Sequence, residues 1–480
     1  MNKSGILVID YKYKEDLDFD RYGLAKVKTI KEDKIYLLVD TTGKEYLLSK
    51  DLKEITSETT VVDLSSQKLT KFPAKILENP QLEILDLTNC GITKTPAEIT
   101  KLTKLTILNI SHNNLTNIPK EISKLTKLKE LNFNSNQLTS IPKGITQFPK
   151  LEILNLEYNS ITKIPQEISQ FTQLTELNLS SNNISEVLQE IGDLTQLIKL
   201  NLSYNEITNM PQEIGKLSKL SELDLSYNEL EIFPEGILKL TQLKELSLDQ
   251  TYLQAIPKEI ENLSNLTWLT LSENLLSNIP KEIGQLSLLT YLDLSENELS
   301  NIPKEIWNLS SLIHLKLGYN KLSNISKEIT KLTKLYDLDL ANNQLTTIPN
   351  EIGSLSRLSS LNLSSNQLTN IPKGVMQLTK LYILKLADNK LTHIPTEIEN
   401  LSKLYKLNLR SNELTSIPPT IRNLNNLREL KLTKNQISTI PLEILDMKQL
   451  KKLFLAQNPI PKEKRSQITQ KMPWCTFVWE

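Results

Sequence analysis

Apolar and polar residues alternate along most of the chain in a pattern that repeats every 23 residues. Around Asn136 the chain reads L-K-E-L-N-F-N-S-N-Q-L, from Leu128 to Leu138. The same arrangement returns 18 times without an insertion or deletion, and we call the residue equivalent to Asn136 the anchor of each rung. The anchors are Gln67, Cys90, Asn113, Asn136, Asn159, Asn182, Asn205, Asn228, Thr251, Asn274, Asn297, Asn320, Asn343, Asn366, Asn389, Asn412, Asn435 and Asn458.

Each part of this pattern predicts a local structure. The L-x-L alternation predicts one short strand per repeat with its leucines directed inward, and stacked repeats then share one continuous core. A proline occurs in 15 of the 17 complete repeats and predicts the start of a short helix or 3-10 turn on the convex side. The anchor asparagine is expected to satisfy loop backbone groups of neighbouring rungs. Thr251 replaces an anchor asparagine, and Leu188 and Ser326 replace the proline; we interpret these as neutral drift, with a local change of curvature or a docking edge as the alternative.

The consensus LTxIPxEIxxLxxLxxLxLxxN resembles that of bacterial 23-residue leucine-rich repeat proteins, including those of spirochaetes such as Leptospira, and also the plant intracellular Ras-group repeats. The resemblance covers residues 59–480, and the ending P-I-P-x-E…C-x-x-x-W is similar to the spirochaete cap. It implies an α/β solenoid: a leucine-rich repeat horseshoe with a parallel concave sheet and short convex helices or 3-10 turns. It also implies a non-enzymatic binding protein.

The two ends of the chain lie outside the regular repeat. Residues 1–58 contain short β-type runs at Ile6–Ile9, Leu24–Ile30, Ile35–Val39 and Glu45–Leu48. Their spacing predicts a small antiparallel meander and fits an SH3-like barrel. We favour a cap that covers the first strand of the solenoid over a separate binding module, because no flexible linker follows. Residues 59–461 form the solenoid, and 462–480 are expected to form a C-terminal cap with a charged helix and an apolar last segment.

Composition narrows the possible functions. The 480 residues include 56 Lys and Arg and 56 Asp and Glu, and this balance argues against a nucleic-acid partner. The sequence contains no run of 18 apolar residues, so it predicts no membrane-spanning helix. The N-terminal sequence lacks a signal-peptide core, which favours the cytoplasm, with export by an unconventional route as the alternative. Only two cysteines occur, Cys90 and Cys475, and no disulfide between them is expected.

Motifs for catalysis are missing from the sequence. It contains neither a phosphate-binding G-x-x-x-x-G-K loop nor a G-x-S-x-G nucleophile elbow. The three histidines, His112, His314 and His393, fall on separate parts of the predicted solenoid and do not predict a zinc site. We therefore expect no enzyme activity, no metal and no cofactor.

The outward positions of the predicted strands lie six, four, two and one places before each anchor, and their charge varies along the chain. They hold five acids and one base in the rungs of Gln67 to Asn205, and nine acids and one base in those of Asn228 to Asn343. Six bases and two acids occupy them in the remaining rungs. The neutral total therefore hides an acidic middle and a basic C-terminal end, and the acidic middle favours a partner with a basic patch.

Aromatic residues concentrate in the same acidic middle, where they indicate either rings that only stack on one another or anchors for a partner. We favour a monomeric protein-protein interaction scaffold that binds a partner on its concave face. The alternatives are a carbohydrate-binding, adhesin-like surface and a structural, self-associating solenoid. The predicted partner-binding residues are Tyr204, Glu222, Asp224, Tyr227, Glu245, Trp268, Tyr291, Asp293, His314, Tyr319 and Asp337.

Overall fold

The computed structural model describes residues 24–28, 36–40, 42, 44–141 and 148–479. The chain forms two compact units, Met1–Asp224 and Leu225–Glu480. The expected strand at Ile6–Ile9 lies outside the described residues.

The first unit begins with an antiparallel meander and continues as a parallel ladder. Strand β1 pairs with β2 and β2 with β3 in antiparallel fashion. From β3 to β11, consecutive strands pair in parallel. Its strands are β1 Leu24–Lys28, β2 Tyr36–Asp40, β3 Glu45–Ser49, β4 Val61–Asp63, β5 Ile84–Asp86, β6 Ile107–Asn109, β7 Glu130–Asn132, β8 Ile153–Asn155, β9 Glu176–Asn178, β10 Lys199–Asn201 and β11 Glu222–Asp224.

The second unit is a parallel ladder of consecutive strands. Its strands are β12 Glu245–Ser247, β13 Trp268–Thr270, β14 Tyr291–Asp293, β15 His314–Lys316, β16 Asp337–Asp339, β17 Ser360–Asn362, β18 Ile383–Lys385, β19 Lys406–Asn408, β20 Glu429–Lys431, β21 Lys452–Phe454 and β22 Thr476–Val478. The single α-helix of the described residues, α1 Lys462–Lys471, follows the last rung and leads into β22, which pairs with β21.

Short 3-10 helices return the chain from one strand to the next. A proline with φ near −65° precedes most of them, and this φ suits the start of a helix. In the first unit they span Leu52–Glu54, Ala74–Glu78, Ala97–Lys101, Lys120–Lys124, Gln166–Gln170, Gln189–Asp193 and Gln212–Lys216. In the second they span Glu235–Lys239, Lys258–Asn262, Lys281–Gln285, Lys304–Asn308, Lys327–Lys331, Asn350–Ser354, Lys373–Gln377, Thr396–Asn400, Pro419–Asn423 and Leu442–Asp446. The predicted solenoid of parallel strands and short 3-10 turns is thereby confirmed.

The anchor asparagines join successive rungs through backbone groups, as the sequence predicts. The Nδ2 of Asn297 donates to the carbonyl oxygens of Leu294 and Ser295 in its own rung, at 3.2 and 3.0 Å. It also donates to the carbonyl of Leu271 in the preceding rung at 2.9 Å, and its Oδ1 accepts the N–H of Leu276 at 3.0 Å. Each such side chain thus satisfies buried groups on two rungs at once.

Thr251 breaks this arrangement and reverses a hydrogen bond between loops. Its hydroxyl donates to Leu248 and to Oδ1 of Asn274, in its own rung and the following one. In a regular rung, the N–H after the anchor donates to the preceding loop, as Leu275 does to Leu253. At Thr251 the preceding loop donates instead, from the N–H of Glu231 to the carbonyl of Thr251 at 3.0 Å.

Candidate functional site

The outward side chains of the strands form a continuous surface in each unit, which we call the strand face. The middle residue of each strand from β4 to β21 is buried, as are Leu269, Leu292 and Leu315, whereas its two neighbours in the strand point outward. The parallel register places residues 23 positions apart beside each other. The strand face is therefore a set of columns, and each rung contributes one residue to each column.

In the second unit, one column of the strand face carries a row of rings. The register aligns Trp268 with Tyr291 and Tyr291 with His314. The rings of Trp268 and Tyr291 stack face to face, with centroids 3.6 Å apart and planes within 5°. The rings of Tyr291 and His314 lie 5.7 Å apart, and Tyr336 meets His314 edge-on at 6.3 Å. Trp268, Tyr291, His314 and Tyr336 form what we call the aromatic row, in which Trp268 keeps 39% of its surface exposed.

Charged groups border the aromatic row and partly neutralise one another. The Nζ of Lys316 lies 3.8 Å from a carboxylate oxygen of Asp293 and 5.4 Å from the centre of the Tyr291 ring. Burial raises the pKa of Tyr291, so that its hydroxyl stays protonated. Partial burial alone would lower the pKa of Lys316, but Tyr291, Asp293 and Asp337 raise it, and the ammonium stays charged. Asp293 therefore already has a cation beside it.

Four further acids near the aromatic row have no such cation among the described residues. Glu245 is exposed in β12, directly beside Trp268 in the register. Asp249 is largely enclosed; burial raises its pKa, although hydrogen bonds from Thr270 and Ser272 oppose the shift. Burial and the nearby carboxylates of Glu296 and Asp249 raise the pKa of Glu273. No Lys or Arg of the described residues forms an ion pair with these four acids, so this part of the strand face attracts cations.

The first unit holds Tyr204, Glu222 and Asp224. Glu222 pairs with Lys199 of the neighbouring strand, with Nζ and Oε2 3.0 Å apart. Asp224 lies at the end of β11, beside Asn201 of β10. Tyr204 is exposed in the turn that follows β10. The charge of Glu222 is therefore partly offset within the chain.

Three of the predicted tyrosines lie in turns rather than in strands. Tyr204, Tyr227 and Tyr319 precede their anchors and adopt φ values of 54°, 57° and 54°, in the left-handed region. Tyr319 is 56% exposed. These rings stand at the edge of the strand face, beyond the ends of the strands. Asp337, the last of the predicted residues, lies in β16 with its carboxylate 3.7 Å from Nδ1 of His314.

A column of aromatic residues just before the strands was not among the predicted positions. Tyr336 belongs to this column, as do Tyr382 and Tyr405, whose rings stack 4.7 Å apart. Their spacing by multiples of 23 residues was visible in the sequence, but their position, seven places before the anchor, was not counted as outward-facing. The strand face is therefore one column wider than predicted.

The described ranges hold neither a metal cluster nor a membrane-spanning helix. No cluster of three or more His, Cys, Asp or Glu residues there is arranged to hold a metal ion. No helix there has the length and apolar character needed to cross a bilayer. Cys90 and Cys475 are both buried and free.

Sequence-family models assign the chain to a class of proteins. Those described as "Leucine-rich repeat region" match residues 177–274, 252–340 and 319–412, and those described as "Leucine rich repeat" match 80–138, 126–184 and 402–460. Together they cover more than half of the chain, which belongs to the leucine-rich repeat family. No curated protein sequence matches it.

Solved structures narrow the class to a bacterial type. A leucine-rich repeat protein of Leptospira interrogans is 37% identical with a TM-score of 0.74, over 85% of this chain and 99% of that one. The functional domain of InlJ from Listeria monocytogenes is 27% identical with a TM-score of 0.64, over 74% of each chain. The Arabidopsis receptor kinase HAESA, solved with the peptide hormone IDA and the co-receptor SERK1, is 29% identical with a TM-score of 0.65, over 89% of this chain and 79% of that one. This chain is a bacterial leucine-rich repeat protein that resembles the Leptospira type.

Proposed function

We propose that the strand face binds a partner protein that carries a basic patch, with the aromatic row as its main anchor. The observation that carries this proposal is the exposed Trp268–Tyr291 stack beside acids that have no cation of their own. Rigid rings bury a large area at a small entropic cost, which makes them frequent hot spots of interfaces. The neighbour HAESA was solved with a peptide hormone and a protein co-receptor, which supports a polypeptide partner.

The acids of the strand face contribute unequally to the attraction of a basic partner. Glu222 and Asp293 each have a lysine nearby, so they contribute less to long-range attraction than their charge suggests. Glu245 and the group of Asp249, Glu273 and Glu296 lack an ion-pair partner among the described residues, and they supply the field that steers a basic surface. Tyr204, Glu222 and Asp224 stay predictions for the first unit. The monomeric state and the compartment also stay predictions.

Replacing Trp268 with alanine tests the anchor. The variant should lose about 2 kcal/mol of binding free energy or more, which is roughly a thirtyfold weaker affinity. We would recover partners by affinity purification with the wild-type protein and measure both affinities at low and moderate salt. The matched control is Lys385→Ala in β18, on the same strand face but in the basic C-terminal stretch, and it should have little effect.

Equal affinity of the Trp268→Ala variant, with an unchanged melting curve, would contradict this assignment and leave the aromatic row as surface packing. Saturable binding of a simple glycan without any protein partner would favour the carbohydrate alternative. Salt screens the attraction between exposed charges. Binding that does not weaken with salt would therefore contradict a contribution of the acids to partner binding.

A further inference from the structure

The rungs of Asn228 and Thr251 depart from the repeat at several positions on one edge of the second unit. Three places after the anchor, every complete rung has Ser or Thr except these two, which have Glu231 and Gln254. Four places after it, these two have Ile232 and Ala255, whereas the other rungs have polar residues. Tyr252 and, in the next rung, Leu275 directly follow their anchors, where the other rungs have polar residues, Gly91 or Pro459. These departures lie together, because the N–H of Glu231 bonds to Thr251 and the N–H of Leu275 bonds to Leu253.

The reversed hydrogen bond at Thr251 shapes this edge. Glu231 and Tyr252 adopt φ values of 52° and 60°, in the left-handed region that non-glycine residues seldom occupy. The bond from Glu231 to Thr251 makes Ile232 and Tyr252 the next residues of two adjoining loops. Pro234 then enters its helix with ψ of 105°, below the values near 145° that most of the other prolines show.

The same backbone change occurs at Cys90, another anchor that is not asparagine, but no exposed apolar side chains accompany it there. The carbonyl of Cys90 accepts the N–H of Thr70 at 3.1 Å, and Thr70 and Gly91 have φ values of 59° and 72°. There the residues equivalent to Ile232 and Tyr252 are Lys71 and Gly91. Loss of the anchor asparagine therefore accounts for the backbone but not for Ile232 and Tyr252.

A cleft of about 400 Å³ opens beside these residues, between the loops that lead into Glu235–Lys239 and Lys258–Asn262. Phe233 and Ile256 line it and are buried, whereas Ile232 is 81% exposed. Tyr252 and Leu275 expose 47% and 46% of their surfaces. The volume is near the lower end of the range of ligand pockets, about 300–1,000 Å³, and suits one or two side chains.

Carboxylates flank this apolar surface. Glu231 and Glu235 both line the cleft and are exposed, and no Lys or Arg of the described residues pairs with either of them. Glu235 is the only acid at its position among the rungs, where lysine and glutamine prevail. An apolar centre with a charged rim is the usual anatomy of a protein-binding site.

We propose that this edge cleft binds a segment of a partner protein in which an apolar side chain is flanked by lysine or arginine. The apolar side chain packs on Ile232 and Phe233, and the cations face Glu231 and Glu235. The carboxylates disfavour an anionic membrane surface as the occupant, because like charges repel. The surface is separate from the strand face, so it does not depend on the function proposed for that face.

The test selects peptides from a random phage-displayed library on the wild-type protein, after depletion on the double variant Ile232→Asn, Tyr252→Gln. Six other rungs carry asparagine at the position of Ile232, including Asn278 and Asn301, so the variant should fold. Glutamine tolerates the left-handed turn, as Gln250 shows with φ of 49°. We expect peptides rich in lysine or arginine around an apolar residue, with affinity at least about tenfold lower for Ile232→Asn.

Three further variants sharpen the comparison. Glu231→Gln with Glu235→Gln should weaken the selected peptide and reduce the effect of salt on its binding. Leu442→Asn removes another highly exposed apolar side chain, at 70%, elsewhere in the unit and should leave binding unchanged. Trp268→Ala should also leave it unchanged, which separates this site from the strand face.

Several results would overturn the proposal. If no peptide is enriched after the depletion, or if the enriched peptides bind the single variant Ile232→Asn as tightly as the wild type, the edge cleft is not a peptide site. Self-association of the wild type that Ile232→Asn abolishes would identify a second copy of this chain as the occupant. Flotation with phosphatidylserine vesicles that depends on Ile232 would identify a membrane surface instead.

Discussion

The side chain of the anchor asparagine is the residue on which the stacking of rungs depends most directly. One amide serves three carbonyl groups and one N–H group, and it draws these from two rungs. Water cannot replace these bonds readily, because the anchors from Asn274 to Asn458 are all less than a tenth exposed. Leaving each buried backbone group without a partner costs about 1–3 kcal/mol.

Replacing Asn297 with alanine should therefore lower the free energy of unfolding by at least about 3 kcal/mol, since several buried groups lose their partner together. Urea unfolding monitored by circular dichroism measures this loss. The matched control is Asn301→Ala in the same rung, whose exposed side chain reaches only the hydroxyl of Ser300. That control should change stability by no more than about 0.5 kcal/mol. A loss at Asn297 no greater than at Asn301 would contradict the role of the amide.

At the scale of single residues, some contacts could be predicted from the sequence and others could not. The ion pairs Lys199–Glu222 and Lys316–Asp293 join residues 23 positions apart, so the repeat already made both predictable. The left-handed turns at Tyr204, Tyr227 and Tyr319 were not predictable, because no glycine marks them. The ring geometry depends on side-chain rotamers, which a periodic pattern does not specify. The same pattern therefore gave the columns of the site but not the orientation of its rings.

Among the elements, strand β3 has a particular role, because it joins the meander to the ladder. Leu48 and Ser49 of β3 pair in parallel with Val61 and Val62 of β4. The N–H of Thr60 donates to the carbonyl of Leu47 at 3.1 Å, and Lys50 pairs with Asp63 at 2.8 Å. An uncovered strand edge is a template for association with other chains. These contacts support the proposal that residues 1–58 act as a cap.

Deleting residues 1–58 should expose the edge of β4 and cause self-association, because its N–H and carbonyl groups lose their partners. Light scattering after size-exclusion chromatography measures the mass of the deletion variant against that of the full chain. Lys50→Ala is the control, since it removes the ion pair but keeps the strand pairing. A deletion variant with the mass and stability of a single intact solenoid would instead identify an independent module.

For the molecule as a whole, one repeated pattern accounts for both units. The fold was predictable because almost every rung repeats the same strand, anchor and proline positions. A departure in one rung therefore does not change the prediction for the whole array. The N-terminal region has no such redundancy; its strands β1 to β3 were expected from short apolar runs alone, and their parallel junction with β4 was not specified. The edge cleft was visible only as residues that broke the pattern, such as Thr251 and Ile232.

Stability of the whole protein should not depend on a metal ion, because its core consists of leucine and isoleucine side chains along both units. Prolonged treatment with a chelator should leave the thermal unfolding curve unchanged, as differential scanning calorimetry would record. An untreated sample of the same preparation is the control. A transition that moves to lower temperature after chelation, and returns with added zinc or calcium, would contradict this expectation.

The hydrogen bonds of the anchor asparagines also affect how such a chain can gain or lose repeats during evolution. An anchor amide such as that of Asn297 recognises backbone groups of the neighbouring rung and none of its side chains. The anchor bonds therefore place no demand on the side chains of the neighbouring rung, and recombination between repeats in the gene can add or remove a 23-residue unit without breaking them. Thr251 is the exception, because its hydroxyl bonds to the side chain of Asn274. Duplication and loss should accordingly spare the pair of rungs at Thr251 and Asn274, while the rest of the array remains free to lengthen.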